Sequence, residues 1–483
     1  MKLYKLIEKL NIIENHAIDD LDILSVCYDS RKACRDSLFV AVRGFETDGH
    51  KYIAAAASLG ASAVICEEKP DVDIPYIIVP DSRLALALIG CAFYGYPSEK
   101  MHIIGVTGTS GKTTTTHLIK HAIESITGKM VGMIGTNGNY IGYEEIHTEH
   151  TTPESLDLQS LFNDMYAAGC EYVVMEVSSH ALSLDRVAGV RFDAAAFTNI
   201  SQDHLDFHKD MDDYARAKKK IFSMCDIACI NLDDPYSQLM LENITCDLIT
   251  TSEDNEDADI FASEISIDSS GVKFNSIYNG NIVPVKLNIP ASFSVYNALT
   301  VLSVGIALGF KIEDIALSLS EAKGVSGRME SLPTDGNYAI IRDYSHKPDP
   351  LEKVLKTLKP ITKGKLVALF GCGGDRDRLK RPIMGKIAAE NSDFVIVTSD
   401  NPRTEDPLDI INEILPGVIG ADTPYAVIPD RVEAIRFAVD NAEDGDVILL
   451  AGKGHEDYQI IGHDKFPMDE RLIVADIMKE RNA

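Results

Sequence analysis

Residues 108–114 read Gly108-Thr109-Ser110-Gly111-Lys112-Thr113-Thr114, a run equipped to hold a polyphosphate. Glycines let backbone N–H groups come close to phosphate oxygens. A lysine placed like Lys112 neutralises β- and γ-phosphate charge, and a hydroxyl placed like that of Thr113 can ligate Mg²⁺. The common GxxxxGK spacing would put a glycine where Val106 stands, so this is a shorter GTxGKT variant. Its context supports the chemistry. Met101–Val106 reads as a strand and the residues after Lys112 as a helix, whose N-terminus adds partial positive charge.

Other residues are less decided on their own. Glu176 closes the strand-like run YVVMEV, where a carboxylate beside the phosphate loop suits Mg²⁺. Taken alone it is equally a solvated strand end. The stretch Asp203-His204-Leu205-Asp206-Phe207-His208 follows another strand but lacks HExxH spacing, which argues against zinc. Lys218, Lys219 and Lys220 lie in the helical pattern YARAKKKIF, either as a solvated basic face or with one lysine set apart. The nine cysteines form no CxxC pair; Cys225 and Cys229 lack further ligands, so the thiols read as reduced and mostly buried.

These residues need elements to position them. Short apolar runs alternate with helical stretches, the pattern of α/β units with parallel strands. In the first part, SLFVAV and SAVIC read as strands, KYIAAAASLGA and RLALALIGCAFYG as helices, and YGYPSE as a linker. The central region adds strands YVVMEV, AAAFTNI and IACINL and a helix around SVYNALTVLSVGIALG. In the last region four strands run into polar loops: AIIRDY into SHKPDP, LVALF into GCGGDRDR, DFVIVTS into DNPRTEDP, and DVILLA into GKGHED. Ligands of open parallel sheets bind outside the carboxyl ends of the strands, so these loops are candidates for a second binding region. We expect an α/β protein of three domains: 1–98, 99–327 with a mainly parallel sheet around the phosphate loop, and 328–483 with a Rossmann-like sheet.

Composition narrows the function. A net charge of −28 excludes general nucleic-acid binding, so an acidic ligand must be held by local cations and metal ions. No apolar run approaches the ~20 residues that span a bilayer. The charged N-terminus MKLYKLIEKLNIIEN lacks a signal-peptide core, which reads as a cytoplasmic protein.

The segments GTSGKTT, MEVSSHAL, TNISQDHLDFH, YARAK, GRME, DYSHKPDP, GCGGDRD, DNPR and GKGHE occur here in the order seen in Mur ligases. The chain resembles that family over nearly its whole length, and within it the branch that adds meso-diaminopimelate. The resemblance implies three domains: one binding a UDP-linked substrate, one binding ATP, and one bringing the amino acid. It implies that ATP phosphorylates a carboxylate of UDP-N-acetylmuramoyl-L-Ala-D-Glu to an acyl phosphate, which the amino acid's amine then attacks. By the same resemblance, Gly108 to Thr114, Asn297, Arg328 and Asp343 bind ATP. Thr113, Glu176, His204 and a carbamylated Lys218 serve Mg²⁺, with Lys112, Glu176, His204 and Lys218 as the catalytic set. Ser30, Thr151, Thr152, Ser178 and Arg186 contact the UDP-substrate, and Arg376, Asp400, Asn401, Pro402, Arg403, Gly452 and Glu456 the diaminopimelate. Leu184, Ala291, Ser294 and Lys347 depart from the family pattern. Diaminopimelate carries a second carboxylate that lysine lacks, and Arg376 with Arg403 is suited to clamp it. The alternatives are the lysine-adding ligase, a non-catalytic nucleotide-binding relative, or a folylpolyglutamate- or cyanophycin-type ligase. Monomers and ligand-driven domain closure are also expected.

Overall fold

The computed structural model describes every residue except 19, 45–46, 147–150, 206, 269, 323 and 482–483. Asp206 of the 203–208 stretch therefore lies outside the described residues. The chain forms two compact units, residues 1–261 with 299–315, and residues 262–298 with 316–483.

The first unit opens with a five-stranded sheet in the order Glu14–Asn15, Tyr76–Ile78, Ala61–Cys66, Ser37–Val40, Ser25–Cys27, parallel except at the first pair. Alternation along a strand assigns residues to faces. Leu38 and Val40 pack with Leu6, Ile65 and Leu86, whereas Phe39 and Ala41 pack with Ile53 and Val64. Both faces are covered, which is why SLFVAV is apolar throughout. Helix Ser82–Phe93 covers the first face and begins at Asp81, whose carboxylate accepts from the N–H groups of Arg83 and Leu84. Such a cap is worth about 1 kcal/mol.

The larger sheet of this unit runs Asp247–Ser252, Cys225–Asn231, Phe192–Phe197, His102–Thr107, Tyr172–Glu176, Val131–Gly135, all parallel. It continues antiparallel through Gly138–Ile141 and Glu144–Ile146. The expected strand at 101–106 is His102–Thr107, one residue later. Because it lies between Phe192–Phe197 and Tyr172–Glu176 in parallel register, the segments leaving all three strands emerge side by side. Gly135 ends the next parallel strand at the same edge.

The second unit holds a six-stranded sheet in the order Glu330–Leu332, Ala339–Asp343, Val447–Ala451, Leu366–Phe370, Phe394–Val397, Tyr425–Val427, parallel except at the first pair. Ile340, Leu369, Ile396, Ile448 and Leu450 form its core with Ile435 and Ile477 from the helices Arg431–Asp440 and Glu470–Arg481. Its four polar loops leave the carboxyl ends of adjacent parallel strands, as the sequence led us to expect. A hairpin, Tyr458–Ile461 with Asp464–Pro467, follows the last of them. Among the described residues no helix is long and apolar enough to cross a membrane.

Candidate active site

The phosphate loop joins strand His102–Thr107 to helix Lys112–Thr127. Gly108 has φ +149° and Gly111 φ +84°, conformations that L side chains rarely adopt. A Cβ on Gly108 would stand 1.9 Å from Thr198 Oγ1, so the loop closes against strand Phe192–Phe197 only without a side chain there. Asn199 clamps it: its carbonyl accepts from Thr109 N at 2.8 Å and its side-chain oxygen from Ser110 N at 3.0 Å. Lys112 folds back over the loop, donating to the carbonyls of Gly108 (2.8 Å) and Thr109 (2.9 Å). Burial lowers its pKa, an effect that Glu176 and Asp203 partly offset.

Glu176 is 1% exposed. Its Oε1 accepts from Thr113 Oγ1 and from Thr136 N, both at 2.9 Å, and its Oε2 from Thr136 Oγ1 at 3.2 Å. A hydroxyl and a carboxylate thus meet beside the phosphate loop, a pair of hard oxygen donors suited to Mg²⁺. The described residues contain no cluster of three or more His, Cys, Asp or Glu able to hold a metal. A cation here would draw its remaining ligands from phosphate, water or a modified side chain.

Four of the five residues expected at the UDP-substrate meet next to this pair. Thr151 Oγ1 lies 3.1 Å from Thr136 Oγ1. Thr152 Oγ1 donates to the Glu176 carbonyl at 2.9 Å and accepts from Ser178 N at 3.2 Å. Arg186 Nη1 donates to the Thr152 carbonyl at 3.1 Å, and its Nε lies 3.5 Å from Glu154. The fifth, Ser30, lies in the turn Ser30–Lys32.

Lys218 is 1% exposed on helix Met211–Lys219, whereas Lys220 is exposed. Its Nζ donates to the Gly108 carbonyl at 2.7 Å and lies 4.5 Å from the centre of the Tyr214 ring. Burial and the nearby Lys112 hold its pKa well below the usual lysine range. Of the three consecutive lysines, this is the one set apart. His204 is exposed with φ +54°; its neighbours are Asp203 at 3.5 Å, the His180 ring at 4.8 Å and the Tyr214 ring at 6.2 Å.

In the second unit the four loops interlock. Gly452 N donates to the Asp343 carbonyl at 3.0 Å, and the Asp343 carboxylate accepts from Met329 N at 2.9 Å. Burial raises the Asp343 pKa. The Arg328 guanidinium stands 5.5 Å from the centre of the Tyr344 ring. Asn297 is buried on helix Phe293–Ala307. Asn401 Nδ2 donates to Glu456 Oε2 at 2.9 Å, and Lys453 bridges both, reaching Asn401 Oδ1 at 2.7 Å and Glu456 Oε2 at 3.0 Å. Pro402 is buried against Gly374, where a Cβ would stand 1.9 Å from the Pro402 carbonyl oxygen. Arg403 has φ +52° and donates to the Gly374 carbonyl at 2.8 Å. A Cβ on Gly373 would lie 2.9 Å from Arg403 Nη1 and 3.8 Å from Arg376 Cγ, so both arginines flank one glycine. Among the described residues neither pairs with a carboxylate, and Asp400 Oδ2 is buried without a hydrogen-bond partner.

The family description "Mur ligase middle domain" matches residues 106–305, "Mur ligase, glutamate ligase domain" residues 327–454, and "Mur ligase family, catalytic domain" residues 22–94. A protein of Caldanaerobacter subterraneus subsp. tengcongensis named UDP-N-acetylmuramoyl-L-alanyl-D-glutamate--2,6-diaminopimelate ligase is 47% identical over 95% of this chain and 96% of its own length. The chain belongs to the Mur ligase family. A Geobacillus thermodenitrificans protein with the same name is 42% identical over the full length of both chains. A solved Mur ligase structure titled UDP-N-acetylmuramoyl-L-alanyl-D-glutamate--2,6-diaminopimelate ligase superposes with TM-score 0.80 at 32% identity, covering 100% of this chain and 99% of that one.

Sequence reading of this Mur ligase passed over Thr136, Glu154, Asn199 and Lys453. Thr136 and Asn199 follow strands as short polar residues with no charge to mark them. Lys453 stands in GKGHE and was legible as part of that motif, but nothing in the string shows that it is 0% exposed.

Proposed function

We propose that this chain catalyses ATP-dependent addition of meso-diaminopimelate to UDP-N-acetylmuramoyl-L-Ala-D-Glu, in the cytoplasm and as a monomer. A dipeptide carboxylate oxygen attacks the γ-phosphorus of ATP, and ADP leaves. The resulting acyl phosphate has a leaving group that a free carboxylate lacks. The amine of diaminopimelate, having lost a proton, attacks the acyl carbon. The tetrahedral intermediate gives up a second nitrogen-bound proton to solvent and expels inorganic phosphate, and an amide remains.

The phosphate loop and Lys112 hold the triphosphate and offset its repulsion of the incoming carboxylate. Thr113 and Glu176 would hold Mg²⁺, with Glu176, His204 and a carbamylated Lys218 serving a second ion. Bound there, Mg²⁺ supplies charge neutralisation of the transferring phosphoryl group. The low pKa of Lys218 supports carbamylation. A neutral amine nitrogen adds to CO₂ and loses a proton, turning a cation that repels Mg²⁺ into an anionic oxygen ligand. Asn297, Arg328 and Asp343 complete the nucleotide contacts, and Ser30, Thr151, Thr152, Ser178 and Arg186 take the UDP-substrate. Residues 1–98, 99–327 and 328–483 are the corresponding functional divisions.

The choice of amino acid is carried by Arg376 and Arg403 beside Gly373, two guanidiniums that have no carboxylate partner among the described residues. Diaminopimelate brings that carboxylate and lysine does not. Asp400 Oδ2 is the matching acceptor for an ammonium group. The relatives' names support the same assignment. Phosphate release with ATP, Mg²⁺ and the UDP-dipeptide across a panel of amino acids tests it. Release should require the UDP-dipeptide and be selective for meso-diaminopimelate. Equal release with L-lysine would refute the specificity, and release independent of the UDP-dipeptide would refute the reaction.

A further inference from the structure

We propose that Thr136 is a positioning residue that couples the phosphate side of the site to the UDP-substrate side; the inference rests on the function proposed above. Thr136 directly follows strand Val131–Gly135, and its side chain is exposed. It holds both oxygens of the buried Glu176 carboxylate, through its N–H at 2.9 Å and its hydroxyl at 3.2 Å. The same hydroxyl lies 3.1 Å from that of Thr151. A hydroxyl has one hydrogen and a carboxylate oxygen only accepts. Thr136 therefore donates to Glu176, and Thr151 donates to Thr136.

The chain of donors runs from a residue assigned to the UDP-substrate to one assigned to Mg²⁺. Its close approach depends on Gly135, where a Cβ would stand 2.5 Å from Glu176 Oε1. Whatever shifts the Glu176 carboxylate is felt at Thr151, and linkage makes that coupling reciprocal. Thr136 touches neither acyl carbon nor phosphorus in this account; it acts through its two neighbours.

Thr136→Val removes the hydroxyl and keeps the N–H, while Thr136→Ser keeps both. Calorimetry with UDP-N-acetylmuramoyl-L-Ala-D-Glu, and with ADP at zero and saturating Mg²⁺, reads the two sides separately. Loss of the two hydroxyl hydrogen bonds, one on each side of the relay, should weaken UDP-dipeptide binding and the Mg²⁺-dependent gain in ADP affinity, each roughly three- to ten-fold. Thr136→Ser should restore both to within about two-fold, with ADP affinity in the absence of Mg²⁺ and the thermal midpoint unchanged in either variant. The coupling is overturned if Thr136→Val leaves either side at the wild-type value, or if Thr136→Ser behaves like Thr136→Val. Failure of the wild-type protein to bind the UDP-dipeptide would refute the parent function and this inference with it. Wild-type binding matched by Thr136→Val would remove the coupling alone.

Discussion

Lys112 and Lys218 both donate to the carbonyl oxygen of Gly108, at 2.8 and 2.7 Å. Two cations so close, one of them buried, cannot both remain charged cheaply. Lys218 yields: it is 1% exposed and its pKa is lowered further by Lys112, with Asp203 alone in offset, whereas Glu176 as well as Asp203 offsets the burial of Lys112. The expected outcome is a carbamate on Lys218. Protein equilibrated with ¹³C-bicarbonate should show one carbamate carbon resonance that Lys218→Arg lacks, and activity should fall in CO₂-depleted buffer. A spectrum without that resonance at neutral pH would leave Lys218 an ordinary buried amine. At the other site, Arg403→Ala should raise the KM for diaminopimelate at least ~10-fold while leaving ADP binding unchanged, since a charge-assisted bond is worth ~1.5–3 kcal/mol.

Elements explain why these residues can meet. Gly108→Ala forces a side chain into a φ of +149° and against Thr198, and should cost about 1–3 kcal/mol of stability while weakening nucleotide binding. Thermal unfolding and calorimetry measure the two effects. In the second unit, the Arg381 guanidinium on helix Lys380–Asn391 holds the Glu405 carboxyl at about 2, below its ordinary 4.5. A depressed carboxyl stabilises the fold fully above its unfolded pKa and loses that contribution as pH falls through its folded value. The stability difference between wild type and Glu405→Gln should therefore be full above about pH 4.5 and shrink toward pH 2. A difference that stays constant across this range would contradict the pairing. Much of this scale was legible in the string. The strands that deliver the phosphate loop, Glu176, Asn199 and the four loops of the second unit were anticipated, because parallel strands covered on both faces are runs such as IIGV and VILLA, but Val131–Gly135, which delivers Thr136, was not. The meander through Gly271–Tyr278 and Asn281–Leu287 was not, since one-faced antiparallel strands such as NIVPVKL carry polar residues at every second place. Nor was the Thr151–Thr136–Glu176 contact, which depends on how strands far apart in sequence are ordered in the sheet.

At the scale of the whole molecule, a net charge of −28 opposes the approach of anionic ATP and UDP-substrate. On the proposed function their capture depends on local cations, Lys112 for the triphosphate and Arg186 for the UDP-substrate, and not on the bulk field. Screening should therefore help more than it hurts: kcat/KM for ATP should rise, or at least not fall, as ionic strength goes from about 0.01 to about 0.15 M. A steep fall would mean that attractive long-range steering dominates. The proposed reaction requires the phosphate loop to activate a carboxylate by phosphorylating it. The most direct measurement uses a UDP-dipeptide whose D-glutamate carboxylates carry ¹⁸O, followed by mass analysis of the phosphate released on ligation. The phosphate should carry one ¹⁸O atom taken from the substrate; phosphate free of ¹⁸O would rule out the acyl phosphate.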